Sequence, residues 1–167
     1  MARIQRIAPC LWFDDQAEAA AKFYTGIFKK SKIVATTRYS KAGQEIHRRP
    51  EGSVLTVEFH LEGQRFTALN GGPVFRFNEA ISLQVYCENQ KEIDYYWERL
   101  GEGGDPKAQQ CGWLKDKYGL SWQVVPTGMD TMLKDHKSDK AQRVMAAVMQ
   151  MKKFDIAALK RAAAGKS

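Results

Sequence analysis

The sequence holds little of what staples a small chain, grips a metal or anchors it in a bilayer. Cysteine occurs three times in 167 residues, as Cys10, Cys87 and Cys111. The number is odd and no CxxC or CxxH spacing occurs, so neither a disulfide framework nor a structural zinc site is signalled. Cys10 and Cys87 fall in apolar, strand-like runs, where a free thiol usually packs as a small hydrophobe. No apolar run approaches the roughly 20 residues that span a bilayer. Asp14 and Asp15 arrive too early for a signal peptide. The expected location is the cytoplasm, with no membrane partner.

What remains is an ordinary globular composition, 44% hydrophobic and 27% charged, at a length usual for one domain. The net charge of +7 is unevenly placed: residues 134–167 carry nine Lys and Arg against three Asp and Glu, so +6 sits in this tail. The aromatics lie in the body and are not interleaved with those charges, so no nucleic-acid partner is expected and a solvated helix face accounts for the tail.

An internal repeat organises the body. IAPCLWFDDQAEAAAKFYTGIF (7–28) and AISLQVYCENQKEIDYYWERLGEG (80–103) each read as a strand, an acidic turn and an amphipathic helix. Aligning Ile7 with Ala80 pairs Cys10 with Leu83, Trp12 with Val85, Ala20 with Ile93, Phe23 with Tyr96 and Ile27 with Leu100. The apolar helix positions recur at steps of three and four, which places them on one buried face. Asp15 and Asn89 stand where N-caps belong. Further strand material follows each helix. After the first come 32–39 and a hairpin, 54–61 and 64–70, about Glu62-Gly63. After the second come a stretch around 109–114 and the strand 120–125, joined by Asp116-Lys117-Tyr118-Gly119. GQRFTALN (63–70) aligns with GLSWQVVP (119–126), pairing Thr67 with Gln123. The expected fold is α+β: paired βαβββ modules, about 4–70 and 80–126, in one domain over 1–127. A connection through Gly71-Gly72-Pro73 joins them, and a helical extension over 128–167 packs on the same domain or a dimer mate. Paired modules share one core and leave a cleft on the side away from the helices.

PCLWFDDQAEAAAKFYTGIF, SVLTVEFHLEGQRFTALNGGPVFRFNEAISLQVYC and CGWLKDKYGLSWQVVPT resemble the PhnB-like branch of the glyoxalase/bleomycin-resistance/dioxygenase (vicinal oxygen chelate) superfamily. Members of that branch often bear the name 3-demethylubiquinone-9 3-methyltransferase-like. The tail KAQRVMAAVMQMKKFDIAALKRA resembles the C-terminal extension of the same branch. The resemblance implies the paired βαβββ fold, commonly a homodimer. In metal-using members, it implies one ligand on the first strand and one on the last strand of each module. Those places fall on Ile7, Ala80, Thr67 and Gln123, and a shift by one gives Ala8 and Ile81. A divalent cation wants imidazole nitrogen or carboxylate oxygen, so no metal is expected. The methyltransferase name implies S-adenosylmethionine, whose usual site is a Gly-rich loop after a first strand. Here FDDQAEAA follows, with no glycine before Gly26, so no cofactor is expected.

Period-two alternation predicts which side chains face the cleft. On 54–61 these are Thr56, Glu58 and His60, with Glu58 and His60 either an acid/base pair or an exposed strand end near a dimer edge. His47 and His136 read as exposed. Thr67, Ser82, Gln84, Tyr86, Ser121 and Gln123 join them by parity, Asn70 closes its strand beside the Gly-Gly turn, and Arg65 reaches in if the hairpin parity holds. Leu11, Phe13, Trp113 and Phe75 form the rim, while Trp122 fills core. Such a lining suits a small, partly apolar molecule held by a few polar contacts. The reading is a homodimeric, metal-free small-molecule-binding protein. The alternatives are a metal-dependent glyoxalase-, dioxygenase- or epimerase-type enzyme, and an interaction protein docking through its tail. In the tail, Ala141, Val144, Met145 and Val148 share one helical face.

Overall fold

A computed structural model of the chain describes residues 5–166. Residues 1–4 and 167, where the first expected module begins and the extension ends, lie outside the described residues. Two compact units are present, residues 1–76 and 77–167.

The first unit runs β1 (Cys10–Phe13), α1 (Ala17–Ile27), β2 (Lys32–Arg38), a one-turn α2 (Gln44–His47), β3 (Val54–Leu61) and β4 (Gln64–Asn70). Its sheet has the order β1-β4-β3-β2, with β1 parallel to β4 and the other pairs antiparallel. The hairpin between β3 and β4 turns on Glu62 and Gly63, with φ of 47° and 85°. Two positive φ values match the right-handed twist of the paired strands, and glycine makes the second cheap. Alanine supplies much of α1, and it suits a helix both by propensity and by letting the axis approach the sheet. Ala17, Ala20, Ala21, Tyr24 and Ile27 form the buried stripe. Tyr24 stacks on Phe59 of β3 at 6.2 Å between ring centroids, and Phe59 stacks on Phe66 of β4 at 5.4 Å.

Asp15 does not cap α1. The helix begins after Gln16 with no cap from its own approach, and the N–H of Ala17 donates to Oδ1 of Asn70, 2.8 Å away. The amide of Asn70 donates in turn to the carbonyl of Val54 at 3.1 Å. A side chain at the end of β4 therefore ties the helix start to the sheet.

The second unit runs β5 (Ser82–Cys87), α3 (Gln90–Gly101), a 3-10 turn (Pro106–Ala108), β6 (Trp113–Lys115), β7 (Ser121–Pro126), α4 (Met129–Leu133), α5 (Asp139–Met149) and α6 (Ile156–Ala164). Its sheet has three strands in the order β5-β7-β6, with β5 parallel to β7. It is the module of the first unit short of one strand. Where that strand would stand, the chain makes the 3-10 turn and an isolated bridge between Gln110 and Trp113. Asn89 caps α3, accepting from the N–H of Glu92 at 3.1 Å, and the Glu92 carboxylate accepts from the N–H of Glu88 at 2.8 Å. This reciprocal arrangement is close to a capping box. The turn between β6 and β7 is built round Asp116, 3% exposed. Its carboxylate accepts from the N–H groups of Tyr118 and Leu120 and from the indole of Trp122, at 2.8, 3.1 and 2.8 Å.

The tail is bound into this unit by backbone. Cys111 and Gly112 donate to the carbonyls of Met151 and Lys152 at 2.8 and 2.7 Å. A Cβ on Gly112 would come within 2.3 Å of the Phe154 ring, so only glycine admits that ring. Gln90 of α3 donates to the carbonyl of Phe154 and accepts from the N–H of Ile156. Ser138 and Asp155 cap α5 and α6, and Arg143 donates to the carbonyls of Ala162 and Ala163 at the end of α6. The buried face of α5 is Ala141, Val144 and Val148. Met145, expected beside them, is 44% exposed because it lies at the margin of that stripe. No described helix is long and apolar enough to cross a membrane.

Asn70→Ala leaves the N–H of Ala17 and the carbonyl of Val54 without this partner. Urea unfolding should show a loss of about 1–3 kcal/mol, whereas Asp15→Ala should change stability by less than about 0.5 kcal/mol.

Candidate functional site: the open faces of the two sheets

Each sheet gives one face to its helix and leaves the other free of it. On β3, Val57, Phe59 and Leu61 are buried on the α1 side, and Thr56, Glu58 and His60 are half-buried on the other. Register lays out the open face of the first sheet as rows. Lys32, His60 and Arg65 align across β2, β3 and β4; Ala35, Glu58, Thr67 and Cys10 align across all four strands. Thr37, Thr56, Leu69 and Trp12 form the next row, and there the two threonine hydroxyls lie 2.5 Å apart.

Glu58 is the carboxylate at the middle of this face. Its Oε2 accepts from the Arg65 guanidinium at 2.7 Å, and its Oε1 lies 3.9 Å from Nε2 of His60. Arg65 does reach in, as the hairpin parity allowed. One Glu58 oxygen is thus occupied by the Arg65 guanidinium, and the other faces the His60 ring.

Several expected site residues lie elsewhere. Asn70 shares the buried face with Phe66 and Ala68 and serves as the cap of α1, so it is turned away from Thr67. Leu11 and Phe13 are buried on the helix side, and Cys10 and Trp12 take the open face instead. The first module has four residues' step from Phe13 to the start of α1, where the second has three from Cys87 to the start of α3. The first strands are thus offset by one relative to the helices, and a slip of one residue moves every side chain to the other face. Trp12 packs edge-on against Phe75 at 4.9 Å and donates to the carbonyl of Gly72 at 2.8 Å. A Cβ on Gly71 would fall 2.2 Å from its ring. Phe75 itself is 61% exposed. Cys10, expected in core, is exposed, and Cys87 is fully buried. His47 is not simply exposed: it is half-buried, lies 4.5 Å from the Tyr39 ring and accepts from the N–H of Arg49.

On the second sheet the expected parity holds within β5, whereas Ile81, expected on the helix side, precedes the strand and is 61% exposed. Leu83, Val85 and Cys87 have the helix side; Ser82, Gln84 and Tyr86 have the open side. Across β5, β7 and β6 the rows are Ser82, Ser121 and Lys115, then Gln84, Gln123 and Trp113. The side chains form a one-way chain of hydrogen bonds. Tyr86 donates to Gln84 at 2.9 Å, Gln84 to Gln123 at 3.4 Å, and Gln123 to Ser82 at 2.8 Å. Trp122 lies on the buried side with its indole on Asp116.

A metal site of the superfamily's kind does not fit these residues. Ile7, Ala8, Ala80 and Ile81 carry no donor atom, and the Gln123 amide is engaged with Gln84 and Ser82. Among the described residues no group of three His, Cys, Asp or Glu side chains could hold a metal ion. Two pockets have linings other than the polar rows of these faces. One of about 180 Å³ lies beside the α1 start, lined by Asp15, Arg49 and Asn70. Another of about 310 Å³ lies between α4 and α5, lined by Leu133, His136 and Met145.

Comparison with known proteins gives first a fold and then a family. Pseudomonas aeruginosa PA1353 is 16% identical, with a TM-score of 0.56 over 74% of this chain and 98% of that one. FosX, the fosfomycin resistance protein of Listeria monocytogenes solved with Mn(II) and sulfate, is 15% identical, with a TM-score of 0.51 over 80% and 99%. A Bacillus cereus PhnB protein, described as a 3-demethylubiquinone-9 3-methyltransferase, is 37% identical, with a TM-score of 0.62 over 74% of this chain and all (100%) of that one. No match is found among curated proteins. The fold is that of the glyoxalase/bleomycin-resistance/dioxygenase proteins. The model of the 3-demethylubiquinone-9 3-methyltransferase family matches residues 5–125, and the chain belongs to that PhnB-like family.

The family's name implies a methyl donor, and the β1–α1 turn does not fit S-adenosylmethionine. It contains no glycine to let backbone approach a ligand, and its first helical N–H, that of Ala17, is taken by Asn70.

The thiols give a test of the two faces. Burial, with the Glu92 carboxylate adding to it, pushes Cys87 from an ordinary 9.0 up to about 12. The neutral thiol is favoured in the fold, so its contribution is complete below pH 9 and fades as pH rises towards about 12. The stability gap between the parent and Cys87→Ala, followed by urea melts, should narrow across that window. A thiol reagent should label Cys10 in the folded protein and Cys87 only after unfolding; labelling of Cys87 under native conditions would place it wrongly.

Proposed function

We propose that this chain is a homodimeric, metal-independent protein of the cytoplasm that binds a small, partly apolar molecule on the open faces of its sheets. The supporting observation is the composition of those faces. Thr67, Ser82, Gln84, Tyr86 and Gln123 offer neutral donors and acceptors, Glu58 is a guanidinium-paired carboxylate, and Trp113 offers a flat apolar surface. A few fixed polar groups beside aromatic surface orient a ligand without activating it. The metal-dependent enzyme reading needs imidazole or carboxylate at positions where this chain carries Ile7, Ala80, Thr67 and Gln123. The methyltransferase reading needs a donor site that the β1–α1 turn lacks.

Homodimerisation is supported by large apolar side chains left at the surface, Val34 at 47% and Ile81 at 61% exposure among them. Three free thiols accord with a reducing compartment.

Calorimetric titration of chelator-treated protein with zinc, manganese and nickel ions tests the metal-free reading. The expected result is no saturable one-to-one binding. Tight stoichiometric binding that Thr67→Ala or Gln123→Ala abolishes would replace the proposal with a metalloenzyme. Light scattering after gel filtration should give twice the 18.9 kDa chain mass, and a monomer would remove the dimer from the proposal.

A further inference from the structure

The chain of hydrogen bonds on the second sheet has a direction, and the direction leaves a particular remainder. Tyr86 donates into the chain, each glutamine passes one bond on, and Ser82 accepts at the far end. The amide oxygens of Gln84 and Gln123 are thereby engaged. Among the described residues no acceptor is found for the hydroxyl proton of Ser82. Its register partner Ser121 is 2% exposed, and no described residue gives or takes a hydrogen bond at that hydroxyl. The next position in the row is Lys115 of β6. The row thus presents two hydroxyls and an ammonium, side by side across three strands.

Lys115 has one partner, and it is a carboxylate. Its Nζ contacts Oε1 of Glu79. Glu79 stands just before β5 and is 64% exposed at its side chain, whereas the Lys115 side chain is 25% exposed. The ammonium holds the Glu79 carboxyl below its ordinary range. The half-buried cation is fixed by the strand, and the anion comes from a surface position outside it. Beside this row lie Gln84, Gln123 and Trp113, and then Tyr86 and Val125. Donors at one end and a flat apolar side chain at the other divide the face into an anion-binding end and an apolar end.

We propose that Ser82, Ser121 and Lys115 form a carboxylate-binding row, that the ligand is a small organic carboxylate with an aromatic or apolar body lying against Trp113, and that Glu79 is an internal competitor for the row. This rests on the binding-protein reading and names its ligand class. Two hydroxyls and an ammonium match the lone pairs of one carboxylate, and charge-assisted hydrogen bonds of this kind discriminate strongly against neutral isosteres. The Glu79 carboxylate, tethered at its own surface position, must leave Lys115 for the ligand to take full advantage of it.

The test is a titration of the full-length ¹⁵N-labelled protein with benzoate and with benzamide, its uncharged isostere, followed by amide shifts. Benzoate should shift Ser82, Ser121 and Lys115 and bind about tenfold or more tightly than benzamide. Lys115→Gln should abolish that preference. Glu79→Gln should tighten benzoate several-fold and leave benzamide unchanged, a gain that a merely structural salt bridge would not produce. Equal binding of the two probes, shifts confined to other surfaces, or Glu79→Gln without effect on benzoate would each overturn the proposal. Should neutral metabolites bind the open faces while benzoate shows no preference, the carboxylate row falls and the binding-protein reading stands. Should no compound of a mixed panel, charged or neutral, shift either open face, both fall.

Discussion

A pleated strand has two faces, and in each unit a single helix takes one of them. That constraint decides nearly everything else in the molecule. Side chains on the helix face must pack, so Val57, Phe59, Ala68, Val85 and Val124 become core. Their alternates are released from packing and can be polar without cost, provided that they find partners. Thr67, Glu58, Ser82, Gln84 and Gln123 occupy those released places. The helix itself must be held at a fixed height on the sheet, and Asn70 does this for α1 from within β4. In the second unit the corresponding stiffness comes from Asn89 at the start of α3 and from buried Asp116 under the β6–β7 turn.

The sequence made much of this legible because the signals were periodic and local. The β3–β4 hairpin has the expected bounds, since a Glu-Gly turn between two alternating runs leaves little choice of register. The parity of β3, β5 and β7 follows from the same alternation. Three things were hidden. The longer step between β1 and α1 reversed the faces of Leu11, Phe13, Cys10 and Trp12, and a repeat alignment without a gap cannot show such a slip. Asn70 acts on Ala17 across 53 residues, so no local cap rule could find it; its place on the buried parity of β4, with Phe66 and Ala68, was the available signal. The missing strand of the second module was masked by turn-rich residues around Pro106, whose backbone lacks the N–H that a ladder needs.

Membership of a family fixes the fold here more firmly than the chemistry. A fold of this kind hosts unrelated functions, and function is read from the site. This chain's side chains supply hydrogen-bonding groups, a guanidinium-paired carboxylate and an ammonium paired with Glu79. Among the described residues no imidazole and carboxylate cluster of a metal centre is present, and the β1–α1 turn has no glycine loop of a methyl-donor site. The name attached to the family and the residues present thus point in different directions, and the residues are the physical evidence. Parity placed Ser121 on the open face, whereas Lys115 was missed because it belongs to no recognisable motif; only register brings both beside Ser82.

The central claim is that the open faces bind a small molecule without a metal. Amide-shift mapping with a metabolite and antibiotic panel in excess EDTA tests it most directly. The account predicts ligand-induced shifts centred on Glu58, Thr67, Ser82, Gln84 and Gln123, with affinity unchanged by the chelator. Binding or turnover that vanishes in EDTA and returns with an added divalent cation would contradict it.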